Sequence, residues 1–298
     1  MTDTTTAPRS RGASLAIVTG LYVVAVAAAA AWLYLGPDTA YLWLDALIAD
    51  LVATAVVFAG SRIVHNSSCY DAYWSVIPPL LAVYWWLERE PGADGVRFAL
   101  LSVVLWLWAI RLTANWVYSW PGLHHEDWRY PMLREKNPKV ELPVDLMAIH
   151  VFPTLQVFAA MLPVYAVTRS ERAWGWLDVV ALVVGVGAVT LQLVADTQQH
   201  RFARTKQPGE SLVTGLWAWS RHPNYLGEIL MWFSLLLFGL SALPGAWWWQ
   251  VIGVVGMTAM FLGASIPMME QRSLERRPGY QDVIDSVPML LPRPPRRS

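Results

Sequence analysis

Residues 14–35, SLAIVTGLYVVAVAAAAAWLYL, run for 22 positions without a charged side chain. An α-helix rises 1.5 Å per residue, so about 20 apolar residues cross the roughly 30 Å of bilayer hydrocarbon. The run follows Arg9 and Arg11 and is longer than the apolar core of a typical signal peptide, so it reads as an anchor. Comparable runs recur at 43–64, 70–87, 96–118, 144–168, 174–195, 224–241 and 247–266, and the eight together fill more than half of the chain. They are continuous and rich in Leu, Val and Ala, whereas a membrane β-barrel would alternate over segments of about ten residues. The expected fold is all-α: a polytopic membrane helical bundle of about eight transmembrane helices. Its third and seventh spans are the shortest and carry polar residues at their starts.

Composition agrees. Hydrophobic residues make up 55% of the 298 and charged residues 15%, against about 25% charged in a soluble domain. The mean hydropathy is +0.37 and there are 18 Trp, the residue that gathers at lipid–water interfaces. The 22 basic side chains balance 22 acidic ones, so no global basic field points to nucleic acid. A single Cys69 excludes an intramolecular disulfide and a thiolate metal cluster. Soluble enzyme, disulfide scaffold, DNA binder and disordered protein are all poor descriptions of such a chain.

Basic residues give an orientation. Placing the N-terminus inside puts seventeen Lys and Arg in inner segments, four (Arg89, Arg97, Arg169, Arg172) in outer loops, and Arg111 within a span. The positive-inside rule then predicts N-in, C-in topology, with the long connections 119–143, 196–223 and 267–298 on the cytoplasmic side. Residues 1–13 and 293–298 read as disordered tails, leaving one membrane domain over 14–292 that ends in an amphipathic segment.

Polar residues in lipid are costly, and each is a functional candidate. Arg111 lies in LWLWAIRLTANW with Asn115 one turn further on; it either snorkels to the interface or grips an anionic head-group. Asp71 opens the third span beside Tyr70 and Tyr73, where helix capping alone would also favour it. Asp50, in the second span, could pair with a polar group on a neighbouring helix. The richest stretch is ADTQQHRFARTKQPGESLVTGLWAWSRHPNYLGEI, residues 195–229. It carries Gln192's neighbour Asp196, then Arg201, Arg204 and Lys206 on a helical extension, then Arg221, His222, Asn224, Tyr225 and Glu228. Pro223 sits just inside a helix start, where its missing N–H costs nothing. Such cations suit a phosphate site or, equally by composition, a lipid-facing basic loop. The tail IPMMEQRSLERRPGYQDVIDSVPMLLP carries Glu270 and Tyr280 and reads as an interfacial segment or as a lid over a cavity. No P-loop, GxGxxG, HExxH or GxSxG pattern is present, and the histidines show no metal-binding spacing.

GLWAWSRHPNYLGEI with the preceding ADTQQHRFARTKQPGE, the tail motif, NSSCYDAYWS and LWAIRLTANW together resemble the steroid 5-alpha-reductase-like membrane family, in its bacterial DUF1295 branch, over roughly residues 60–292. Isoprenylcysteine carboxyl methyltransferases carry a similar RHPxYxG motif. The reductase resemblance implies a helical bundle holding NADPH, with no metal, in a cavity open to the cytoplasm, and a lipid-like or steroid-like enone entering from the bilayer. It carries Arg111, Asp196, Asn224, Tyr225 and Glu228 over as cofactor-contacting or site-shaping positions, with His222 and Tyr280 at motif positions. Arg201, Arg204, Lys206 and Arg221 supply phosphate-binding cations, and Asn115 and Glu270 complete the expected set. This chain departs from the steroid-reducing members, with Trp108 where they have Tyr and no Glu in the first three spans before Glu88.

Hydride addition to an enone builds negative charge on its oxygen, which requires a donor in a dry site. Tyr73, with Asp71 nearby, is the expected donor and Tyr225 the second candidate. The expected function is therefore an NADPH-dependent oxidoreductase acting on a C=C bond of a lipid. A membrane methyltransferase using S-adenosylmethionine is the alternative, and a transporter or assembly protein the non-enzymatic one. The basic run favours the first, because a dinucleotide carries phosphates whereas S-adenosylmethionine is itself a cation.

Overall fold

The computed structural model describes residues 9–294, and the expected tails over 1–8 and 295–298 lie outside them. In chain order the helices are α1 (Arg11–Leu35), α2 (Leu42–Val64), α3 (Tyr73–Leu87), α4 (Gly95–Ser119), α5 (Arg129–Lys136), α6 (Glu141–Val144), α7 (Phe152–Thr168), α8 (Trp176–Thr205), α9 (Pro223–Ala242), α10 (Trp247–Met260), α11 (Ile266–Arg276) and α12 (Tyr280–Ser286). There is no strand among the described residues. Among the described residues, seven stretches are long and apolar enough to cross a membrane: Arg11–Leu35, Leu42–Val64, Gly95–Ser119, Pro138–Thr168, Trp176–Thr205, Pro223–Ala242 and Pro244–Arg276. The protein is an integral membrane helical bundle.

Three boundaries differ from expectation. The N-terminal tail was expected to reach residue 13, yet α1 begins at Arg11, because Ser10 accepts a hydrogen bond from the Ala13 amide at 3.2 Å and caps it. The Arg11 guanidinium also donates to the main-chain oxygens of Val117, Tyr118 and Trp120, groups that the end of a helix leaves without intrahelical partners. The third span, expected at 70–87, is a helix of 15 residues, about 22 Å long and short of a full crossing. Ser67–Tyr70 instead form a 3-10 turn, and Pro78 and Pro79 remove two N–H donors from α3. The last span does not stop at 266: a π-helical turn at Phe261–Ser265 carries it into α11. The first part of the amphipathic tail, α11, is thus a helical continuation of that span.

The chain divides into two compact units, one running to Leu87 and including Ala109–Phe158, the other made of Glu88–Trp108 and the chain from Ala159 onward. In the first unit, α1 and α2 pack beside a core of Ala25, Ala53, Val57, Tyr70 and Tyr73. Its fully enclosed Asp145 lies 3.1 Å from both Arg62 and Arg134 and accepts from Ser67 at 2.8 Å. A charge without water needs such partners.

The second unit uses the same device. Arg97 and Asp178 are both fully buried and meet in a two-pronged pair at 2.8 and 3.2 Å. Arg97 further donates to the Arg172 and Ala173 carbonyls, and Ser241 donates to Asp178 at 2.8 Å. Helices in this unit approach closely through small residues, as membrane packing favours. Gly253 of α10 faces the main chain of Ala160 in α7 so tightly that a Cβ there would sit 2.2 Å from it.

Candidate functional site

The conspicuous motif 215–229 builds a polar cavity in the second unit. Gly215 has φ +60°, and a side chain there would strike Gln198 at 2.6 Å. That turn lets the Leu216 amide donate to Gln198 Oε1 at 2.9 Å and Trp217 Nε1 donate to the Ala195 carbonyl at 3.1 Å. The connection from α8 is thereby fixed to its last turns. Pro223 then starts α9, as its fixed φ allows. The C-terminal arm is stitched to the same connection by main-chain bonds from Arg221 to Pro288 (2.9 Å) and from Arg293 to Trp219 (3.1 Å). Between them lies a cavity of about 160 Å³ whose wall includes Lys206, Trp217, His222, Tyr225, Arg277 and Tyr280, with Arg221 and Asn224 also lining it.

Glu270 organises that wall. One of its oxygens accepts from Arg221 Nε at 2.7 Å and from His222 Nε2 at 2.9 Å. Arg221 also donates to the carbonyls of Ile284 and Val287, so its guanidinium clamps the arm. Burial holds the His222 pKa below its ordinary 6.5, against the opposing pull of Glu270, and the ring is uncharged at neutral pH. Burial, then the Glu270 carboxylate, raises the Tyr280 pKa and keeps its phenol protonated. His222 stacks on Tyr225 (5.4 Å, 7° between planes), which meets Phe261 of the π turn at 4.9 Å. Lys206 is exposed, and Arg277 lies 5.8 Å over the Tyr280 ring. Neither pairs with an acid among the described residues. They are the cations left to meet an anionic ligand.

The expected site residues divide clearly. Lys206, Arg221, His222, Asn224, Tyr225 and Tyr280 come together around the cavity, with Glu270 behind them. Arg201 and Arg204 do not line it; they stay exposed on other faces of α8. Asp196 is buried in α8 one turn before Gln199, which does line it. Glu228 lies deeper in α9, buried, accepting from the indoles of Trp108 and Trp232 at 3.0 Å each. Arg111 and Asn115 belong to the other unit, half-buried and one turn apart on α4. Arg277 was missed: RRPG reads as a mere helix break, yet that break turns Arg277 back over Tyr280.

A second, apolar cavity of about 210 Å³ opens between α1, α2 and α3 in the first unit, and its one acidic wall residue is Asp50. Tyr73 donates its hydroxyl to Asp50 Oδ1 at 2.8 Å, and both are buried. Thr54, Thr154 and Tyr70 continue this into a buried hydrogen-bonded chain. Tyr73, expected as a donor with Asp71 nearby, is thus hydrogen-bonded to Asp50. The Asp71 carboxyl accepts from Tyr130 instead, and burial pushes its pKa up to about 6. Asp71 precedes α3 in a turn, and positions two apart do not share a face. The signal for Asp50 was an acid inside an apolar span, without its partner 23 residues away.

Comparison with known proteins gives a family and a relative. Residues 57–287 match the family described as "Protein of unknown function (DUF1295)". The chain is also 28% identical over 272 residues, 83% of this chain and 78% of the other, to a protein of Schizosaccharomyces pombe described as uncharacterized. No solved structure matches it. The match spans most of the chain and takes in α3, the cavity motif and α11 and α12, and the chain belongs to the DUF1295 family.

Proposed function

We propose that this protein is a membrane-embedded NADPH-dependent reductase that transfers a hydride to the activated C=C bond of a lipid-like enone, the activity implied by its resemblance to the steroid 5-alpha-reductase-like proteins. The observation that supports the reading best is the polar cavity, where Lys206 and Arg277 stand beside aromatic rings without an acidic partner among the described residues. Phosphate and ribose suit this donor set. At about 160 Å³ the cavity is smaller than the 300–1,000 Å³ usual for whole small-molecule sites, so the fit is to the phosphate-bearing part of a dinucleotide.

When bound, a reduced nicotinamide supplies the hydride. The residues of the chain bind, orient and exclude water: Lys206 and Arg277 neutralise phosphate, Tyr225 and Tyr280 offer ring faces, and Arg221 holds the C-terminal arm over the site. Within the first unit, the apolar cavity suits a water-excluded alicyclic or isoprenoid body. We assign Tyr73 as the hydrogen-bond donor to the developing enolate oxygen, a role in which its single O–H turns from Asp50 to the substrate. We place the polar cavity on the cytoplasmic side, from the distribution of Lys and Arg. S-adenosylmethionine would want free carboxylates, and Glu270 is already engaged by Arg221 and His222. The test is mass spectrometry of the protein purified in detergent. A co-purifying NADP species supports the reading, and co-purifying S-adenosylmethionine without a dinucleotide overturns it.

A further inference from the structure

The polar cavity contains one group whose chemistry phosphate binding does not use. His222 is 7% exposed, lies flat against Tyr225 and lines the cavity. Its Nε2 is 2.9 Å from Glu270 Oε1. A carboxylate only accepts, so Nε2 carries the hydrogen, and in the neutral ring Nδ1 keeps a lone pair. Nδ1 makes no hydrogen bond to any described residue. The same Glu270 oxygen is held by Arg221, which is fixed in turn to the carbonyls of Ile284 and Val287. The tautomer is therefore locked from outside the cavity.

We propose that His222 Nδ1 accepts a hydroxyl of the bound ligand, with Glu270 as the positioning residue that fixes the tautomer, and that the ligand group at this point is a ribose next to a phosphate. This rests on the dinucleotide reading. Phosphate oxygens accept, and they match Lys206, Arg277 and the phenol of Tyr280, which all donate. A fixed acceptor among such donors is matched by a ligand O–H. Protonation turns Nδ1 into a donor and removes the match. The charged and titratable groups around the ring are Glu270 from α11, Arg221 beside it, Tyr225 stacked on it from α9, Lys206 at the end of α8, and Arg277 and Tyr280 from the arm. Burial keeps the ring neutral until the pH falls below 6.5.

The experiment is calorimetric titration of the full chain in detergent with NADPH, between about pH 5 and 8, for the native protein, His222→Asn and Glu270→Gln. Asn offers a non-titrating acceptor near the place of Nδ1. His222→Asn is expected to bind at pH 7.5 and to show only the slope set by the ligand's own phosphate, whose second pKa is about 6. The native protein is expected to lose affinity faster than this variant at low pH, approaching about tenfold per unit. Glu270→Gln removes a carboxylate that favours the protonated ring, so the midpoint should move to lower pH. Equal slopes for the native protein and His222→Asn, or a midpoint raised in Glu270→Gln, overturn this inference alone. No NADPH binding by the native protein at any pH overturns it together with the dinucleotide reading.

Discussion

Replacing Gly253 by Ala adds one methyl group where none fits. The added carbon would lie 2.2 Å from the Ala160 Cα and N in α7, and carbon atoms settle at about 3.5 Å or more. The backbone of α10 must therefore move about 1.3 Å away from α7 to restore that spacing. Because the obstruction is main chain and not the end of a flexible side chain, the cost belongs in the upper half of the usual 1–3 kcal/mol for overpacking, about 2–3 kcal/mol. At about 2–4 °C per kcal/mol, the Tm should fall by about 4–12 °C. Gly187→Ala is the matched control: it lies within α8, a Cβ there meets nothing within 4 Å, and Ala favours the helix. Both variants would be heated at one rate in detergent and the surviving folded fraction read by fluorescence-detected size exclusion, since such proteins unfold irreversibly. Gly187→Ala should equal or exceed the native protein. A Gly253→Ala midpoint within about 1 °C of native would refute the close helix contact.

Two further outcomes follow from the geometry. Tyr73→Phe and Asp50→Asn should couple in a double-mutant stability cycle by about 1 kcal/mol or more, because they share a buried 2.8 Å hydrogen bond; additive losses would remove the pair from the proposed donor machinery. Lys136→Cys in intact cells should resist an impermeant thiol reagent added outside, since Cys69 is buried and the proposed orientation puts the 119–143 segment inside; ready labelling would reverse that orientation.

The helical membrane architecture was legible because an uninterrupted apolar run of span length has few other physical solutions. The clustering of Lys206, His222, Asn224, Tyr225 and Tyr280 was legible through the RHPNY stretch and the tail that resembles a known family. What escaped was set by tertiary contact. Asp50 was expected to be able to pair with a polar group on a neighbouring helix, but that this group is Tyr73 is set by the packing of α3 on α2. Asp71 and Tyr73 looked like partners because they are close in sequence, but the turn before α3 sends them to different neighbours. Arg201 and Arg204 shared a basic run with Lys206, yet helical spacing turns them to other faces. The π turns at Asp145–Val151 and Phe261–Ser265 leave no mark in hydropathy, so the last span was expected to end where it in fact continues into α11.

Binding of NADPH to the purified native protein and to Lys206→Glu, Arg277→Glu and Arg204→Glu tests the dinucleotide assignment most directly. The two cavity reversals should each weaken binding by about tenfold or more, and Arg204→Glu should do less. Native affinity should also fall with salt, since exposed charges are screened over about 10 Å at 0.1 M. Equal NADPH affinity in all four proteins, or saturable S-adenosylmethionine binding with no NADPH binding, would contradict the reductase reading.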